Sequence, residues 1–178
     1  MAKILAFAGS NSSTSINFQL VRHTTRLIQG HEIQLLDMSQ MPLPIFSEDL
    51  EREEGYPHLI ERLKTDIDSA DGVILSTNEH NSYPSAYTKN VLDWLSRVER
   101  NFLGDKPVLL MSTAPGKRGG IGALGALEGM LPRFGGRIAA TFSLPVFKDH
   151  FDPTSGITDE GLAREHQQAL QAFLDILN

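Results

Sequence analysis

Apolar and polar positions divide the chain into short continuous runs alternating with helically spaced stretches. Ile4-Leu5-Ala6-Phe7-Ala8, bounded by Lys3 and Gly9, is the run expected of a parallel strand buried on both faces. Apolar residues then recur at Ile16, Leu20, Leu27 and Ile28, which predicts a first helix over about 15–29 with Gly30 as its stop signal. Residues 32–37 predict a second strand, and their partial alternation puts it near a sheet edge. Residues 38–55 form a long connection with Pro42, Pro44 and an acidic run at 48–54 that suits a solvated face or a short helix. Residues 57–68 predict a second helix facing inward through Leu59, Ile60, Leu63 and Ile67. A third buried strand is expected at 72–77. A polar loop at 78–85 follows, then a helix carrying Val91, Leu92, Leu95 and Val98 with Trp94 beside them. The fourth strand is expected at 107–112, followed by a Gly-rich loop at 113–120 and a helix with Leu124, Leu127, Met130 and Leu131. After a fifth strand at 137–142, Thr158 reads as the cap of a last helix with Asp159 and Glu160 in its first turn. That helix faces inward through Leu162, Ala169, Leu170, Phe173, Leu174 and Leu177.

Five strand–helix alternations without an internal repeat or linker predict a doubly wound α/β fold with a parallel sheet and helices on both faces. At 178 residues, a single domain over 1–178 is the expectation. Charged residues make up 21% and hydrophobic residues 40%, values of an ordinary globular chain. The absence of cysteine excludes disulfides, thiolate nucleophiles and cysteine metal sites, and no other metal motif stands out. A net charge of −6 without a basic stripe argues against nucleic acid. No apolar run approaches the roughly 20 residues of a membrane span, and the first residues read as a strand, not a leader peptide. A cytoplasmic location is therefore the expectation.

Chemistry enters directly after the first strand. Ser10, Ser12, Ser13, Thr14 and Ser15 put five hydroxyls into six residues before the first helix. A helix start has amides without partners and a positive dipole end, so a phosphate there is met by both amides and hydroxyls. Neither GxGxxG nor GxxxxGK[ST] occurs at this turn, so the site suits a single terminal phosphate. Ser15 also serves as a plain helix cap, and Asn17 as a capping accessory. Gly9 permits a tight exit from the strand and close approach of a ligand. In the flavodoxin-like order 2-1-3-4-5, the loops after strands one, three and four lie side by side at the switch point. The second loop, Asn78, Glu79, His80, Asn81 and Ser82 onward, is polar. The third has small residues, Ser112, Pro115, Gly116 and Gly119 among them, where a flat ring can lie against backbone. Together the loops suit a phosphate-tailed planar heterocycle of the FMN kind. Gly120-Ile121-Gly122-Ala123-Leu124-Gly125 matches GxGxxG in letters only, because it lies beyond the fourth strand with no acidic residue about 20 positions on.

Three segments resemble the NAD(P)H-dependent FMN reductase family, which includes quinone, azo-dye and chromate reductases. Gly9 to Asn17 resembles its phosphate loop, GSxRxxSxN. Glu79-His80-Asn81-Ser82 through Lys89-Asn90-Val91-Leu92-Asp93-Trp94-Leu95-Ser96-Arg97 resembles its flavin loop and following helix. Ser112-Thr113-Ala114-Pro115-Gly116 with Gly119-Gly120 resembles its ring-covering loop. Ser12 stands where the family often has Arg, His80 replaces Tyr and Thr88 replaces Leu. The resemblance implies an FMN-dependent oxidoreductase that carries hydride from NADPH or NADH to an acceptor such as free flavin, a quinone or an azo compound, by a ping-pong mechanism. It further implies a homodimer or homotetramer. Carried over by position, Ser10, Ser12, Ser15, Ile16 (through its amide) and Asn17 bind the phosphate. Asn78, Glu79, His80, Asn81 and Ser82 line the ring edge, mostly through the main chain, and Ser112, Pro115, Gly116 and Gly119 sit by ribityl and ring.

No protein acid is required, since the reactive atom belongs to the flavin. His80 is accordingly read as a loop histidine beside the ring, Glu79 as a turn residue and Trp94 as core or subunit contact. Lys117 and Arg118 either meet the extra phosphate of NADPH or form an exposed basic turn. The alternatives to a reductase are a flavodoxin-like electron carrier and an FMN-binding module without NAD(P)H activity.

Overall fold

The structure, a computed structural model, describes residues 1–177; Asn178, the last residue of the expected domain, lies outside the described residues. Five strands form the main sheet: β1 (Lys3–Ala8), β2 (Glu32–Leu36), β3 (Gly72–Thr77), β4 (Pro107–Thr113) and β5 (Arg137–Leu144). All pairings are parallel and the order is β2-β1-β3-β4-β5, the flavodoxin-like arrangement. β2 lies at an edge and is only half-buried, as its partial alternation predicts. A bulge between Val108 and Leu109 lets β5 slip by one residue at the other edge.

Successive strand side chains enter opposite cores. Leu5, Phe7, Val73, Leu75, Val108 and Leu110 pack with α3 (His58–Ser69), α4 (Ala86–Val98) and α5 (Ile121–Met130). Ile4, Ala6, Ala8, Ile74, Leu109 and Met111 pack with α1 (Ile16–Arg26) and α7 (Glu160–Leu177) on the other face. Continuous apolar strands are thus the consequence of two cores.

Two sequence expectations are corrected. The first helix ends at Arg26, not Gln29, because the amides of Leu27 and Ile28 bond three residues back, to Thr24 and Thr25, and tighten the last turn. The last helix is capped by Asp159, whose Oδ1 accepts from the Leu162 amide at 2.9 Å, whereas Thr158 turns away to Asp149 and His150. The connection at 38–55 takes the short helix expected as one form of its acidic run. It holds a 3₁₀ turn (Met38–Gln40) and the acidic α2 (Glu48–Glu54), capped by Ser47. Its middle is tied to α4: Asn90 bonds the Phe46 amide (2.8 Å) and Pro44 carbonyl (2.9 Å), and Trp94 Nε1 donates to the same carbonyl. α6 (Phe147–His150) and a two-residue ribbon (Phe151–Asp152 with Gly156–Ile157) lead into α7.

Candidate functional site

The register aligns the carboxyl ends of β1, β3 and β4: Ala8 opposes Ser76, and Thr77 opposes Ser112. The chain leaves β1 at Gly9, whose carbonyl accepts from Thr88 Oγ1 at 2.5 Å and from Ser85 Oγ at 3.2 Å. A methyl group on Gly9 would lie 2.3 Å from Thr88 Oγ1, so what approaches this glycine closely is the start of α4. Ser10 is buried, and its Oγ accepts from the Ser12 amide at 3.3 Å. Ser12, Ser13 and Thr14 are exposed, with Ser12 Oγ and Thr14 Oγ1 3.2 Å apart. Ser15 caps α1 by accepting from the Phe18 amide at 3.1 Å. The amides of Ile16 and Asn17 have no backbone partner among the described residues. The result is a helix start with open amides, rimmed by solvent-facing hydroxyls.

Asn17 turns its side chain away from that rim. Its Oδ1 accepts from Ser76 Oγ (2.8 Å) and the Thr113 amide (3.0 Å), while Nδ2 donates to the Thr113 carbonyl (3.1 Å). It is 2% exposed, so its side chain is closed off from solvent. Asn17 therefore pins α1 to the ends of β3 and β4.

The second loop is a ribbon in which His80 pairs with Tyr83 across a two-residue turn. Asn81 (φ 53°) and Ser82 (φ 62°) are both left-handed, the backbone of a tight type I′ hairpin. His80, Asn81, Ser82 and Tyr83 are exposed at the tip, while Asn78 at the base accepts from the Ser85 amide through its carbonyl. Glu79 reaches the start of α5, where its Oε2 accepts from the Ala123 amide at 2.9 Å. The positive end of α5 is thus met by the chain's own carboxylate. Gly122, in the GxGxxG-like string, has Ser82 O 2.6 Å from where a Cβ would stand, so this glycine serves close packing of helix on ribbon.

In the third loop, Ser112 is fully buried and donates to the Gly119 carbonyl at 2.8 Å; Ser143 donates to the same oxygen at 3.0 Å. Gly119 and Gly120 are left-handed, and the Gly116 carbonyl accepts from the amides of Gly119 and Val146. Pro115, Gly116, Lys117 and Arg118 form the exposed tip. Neither Lys117 nor Arg118 joins an ion pair among the described residues. A cleft of about 380 Å³ between α1 and α7, lined by His23, Leu27, Gln167 and Leu174 among others, shares no residue with the three loops.

The sequence profile of the NADPH-dependent FMN reductases matches residues 2–148. The chain belongs to that family. It is 36% identical over 124 residues to an NADPH:quinone oxidoreductase of Arabidopsis thaliana, a match covering 67% of this chain and 62% of that protein. It is 29% identical over 175 residues to a quinone reductase of Escherichia coli K12, covering 96% and 93%. FerB, a flavoenzyme NAD(P)H:(acceptor) oxidoreductase from Paracoccus denitrificans, superposes with a TM-score of 0.79 at 27% identity, over 98% of this chain and 96% of FerB. As a member of the FMN reductase family, the chain is an oxidoreductase with FMN as cofactor and a reduced pyridine nucleotide as donor.

Sequence reasoning missed Ser76, Ser85, Thr88 and Thr113, which hold the site's backbone rather than face a ligand. Thr88 carries the one legible signal: with Ser85 three residues earlier it forms a hydroxyl pair at a helix start, 3.1 Å apart. Trp94 is fully buried in the core beneath α4.

Proposed function

We propose that this FMN reductase family member passes a hydride from NADPH or NADH to a small acceptor, a quinone, azo compound or free flavin, by way of FMN held on the three loops. The observation that carries this reading is the open start of α1: unpartnered amides of Ile16 and Asn17 beside exposed hydroxyls, at the carboxyl end of β1. This donor set fits a phosphate monoester. When bound, FMN supplies two-electron chemistry to donor and acceptor in turn, a ping-pong sequence.

The chain's residues bind and orient. Ser10, Ser12 and Ser15 with the amides of Ile16 and Asn17 form the phosphate cradle, without the arginine that relatives often carry. The ribbon at 78–82 offers main-chain donors and acceptors to the ring edge; Ser112 and Gly119 shape the loop beneath, and Pro115 and Gly116 flank it. The exposed Lys117 and Arg118 meet the additional phosphate of NADPH. The main-chain dipoles of these turns are fixed before any ligand arrives, so they stabilise charge developing beside them without reorganising.

A homodimer or homotetramer is part of the proposal. Ile45, 83% exposed beside α2, is its candidate contact with a second copy. Among the described residues no helix is long and apolar enough to cross a membrane. A cytoplasmic setting is proposed because the reduced pyridine nucleotide is found there.

The test is anaerobic mixing of the protein with FMN and NADPH, followed by a quinone. Bleaching of flavin absorbance at a catalytic rate and its return on adding quinone are expected. FMN binding without bleaching makes the chain an electron carrier, and no FMN binding in a fluorescence titration removes the reading.

A further inference from the structure

Helix α5 begins without a cap of its own. Its N-cap residue is Gly120, left-handed at φ 81° and without a side chain to offer, so the first amides of the helix need an acceptor from elsewhere. Glu79 supplies it from another loop, 44 residues away, with Oε2 2.9 Å from the Ala123 amide. A carboxylate at a helix start gains from the dipole and makes a charge-assisted bond.

Glu79 also belongs to the ribbon, where it pairs with Pro84 two residues before the Asn81–Ser82 turn. That turn asks two non-glycine residues to hold positive φ, which persists only where the surroundings impose it. Two contacts with α5 impose it here. The Glu79 carboxylate takes the Ala123 amide, and Gly122 brings the helix against the Ser82 carbonyl, leaving no room for a methyl group. The same helix start closes the loop that carries Lys117 and Arg118, because the Ile121 amide bonds the Arg118 carbonyl at 3.1 Å.

We propose that Glu79 is a positioning residue: by capping α5 from the ribbon, its side chain sets the Asn81–Ser82 turn and the loop at 113–120 at a fixed separation, and so the slot for the flavin ring. This rests on the FMN reading and adds a positioning role for the side chain of a residue otherwise assigned to the ring edge mostly through its main chain. The second loop's distance from the third is then governed by one carboxylate and one glycine.

Four proteins test it: wild type, E79A, E79Q and G122A. Two readouts accompany the thermal midpoint. One is FMN affinity by fluorescence quenching. The other is the rate of tryptic cleavage after Lys117 and Arg118 in FMN-free protein, with the products identified by mass. E79A should weaken FMN about tenfold, the loss of one charge-assisted cap, and speed the cleavage severalfold. E79Q keeps an oxygen acceptor and should stay within about threefold of wild type on both readouts. G122A places a methyl group 2.6 Å from the Ser82 carbonyl and 2.8 Å from Glu79 Oε2, so it crowds both contacts at once and should resemble E79A. A cap with a stability role only would lower the thermal midpoint of E79A and leave affinity and cleavage at wild-type values; that result overturns the proposal. If E79A does not fold, unchanged affinity and cleavage in G122A does the same. A wild-type protein that fails to bind FMN removes the FMN reading alone, and the cleavage rates still decide whether Glu79 holds the loop.

Discussion

Asn17 shows how far a side chain's role depends on direction. Its amide makes three hydrogen bonds to groups 59 and 96 residues away in the chain. Replacing it with Ala leaves the Ser76 hydroxyl and both Thr113 main-chain groups without this partner in a buried setting, so N17A should cost about 3 kcal/mol in a urea melt of FMN-free protein. Unchanged stability would return Asn17 to the role of a ligand contact. Ser15 was readable from its neighbours because a cap bonds three residues on; Asn17 was not, because its partners are non-local. Lys117 and Arg118 present the reverse case, exposed and, among the described residues, in no ion pair. Replacing both with Ala should raise KM for NADPH severalfold and leave KM for NADH nearly unchanged. Equal changes for the two donors would make them an ordinary basic turn.

At the scale of elements, α4 does more than close one core. Its Tyr87, Asn90 and Trp94 follow helical spacing, and all three bond carbonyls of the preceding connection, Tyr87 to Met38 and Met41, the others to Pro44. Burial pushes the Tyr87 phenol up to about 12, so it stays a donor at any working pH. N90A should cost about 2 kcal/mol and speed hydrogen exchange at the Phe46 amide, which Asn90 Oδ1 now holds. Exchange at wild-type rate would mean that the prolines alone order the segment. Periodicity found α4 and its apolar face but treated Asn90 as part of a motif without a task. Likewise the local sequence points to Thr158 as the cap with Asp159 inside the first turn, and only the path of the preceding ribbon makes Asp159 the cap instead.

Across the whole molecule, α1 and α7 meet over a pair of histidines, His166 buried and His23 half-buried. His166 Nε2 lies 2.8 Å from Thr24 Oγ1, and its ring centroid is 5.6 Å from that of His23. Burial, then the neighbouring His23, pushes His166 down to about 4; burial, then Arg26, lowers His23. Both titrate near 6.5 in the unfolded chain, so below that pH the unfolded state binds more protons than the folded one. Stability should be complete above about pH 6.5 and fall as the pH drops toward 4, with His166 accounting for about 3 kcal/mol of the loss. Chemical denaturation across this range should show a flatter slope for H166L; an unchanged slope would place the acid sensitivity elsewhere. Assembly is read at the same scale: I45D should shift the mass in light scattering toward the monomer, and a wild-type monomer at micromolar concentration would remove the proposed contact.

By itself the sequence determined the five strands, the burial of the central ones on both faces, the edge position of β2 and the place of the three loops, because each rests on local signals: continuous apolar runs, partial alternation, helical spacing, glycine and hydroxyl turns. The family followed from motif order along the chain. Tertiary structure alone decided which polar side chains of these loops face solvent and which hold the frame. Asn17 turned inward, Glu79 crossed to another helix and Thr88 closed on Gly9, since a hydrogen bond between residues tens of positions apart leaves no period or spacing to read.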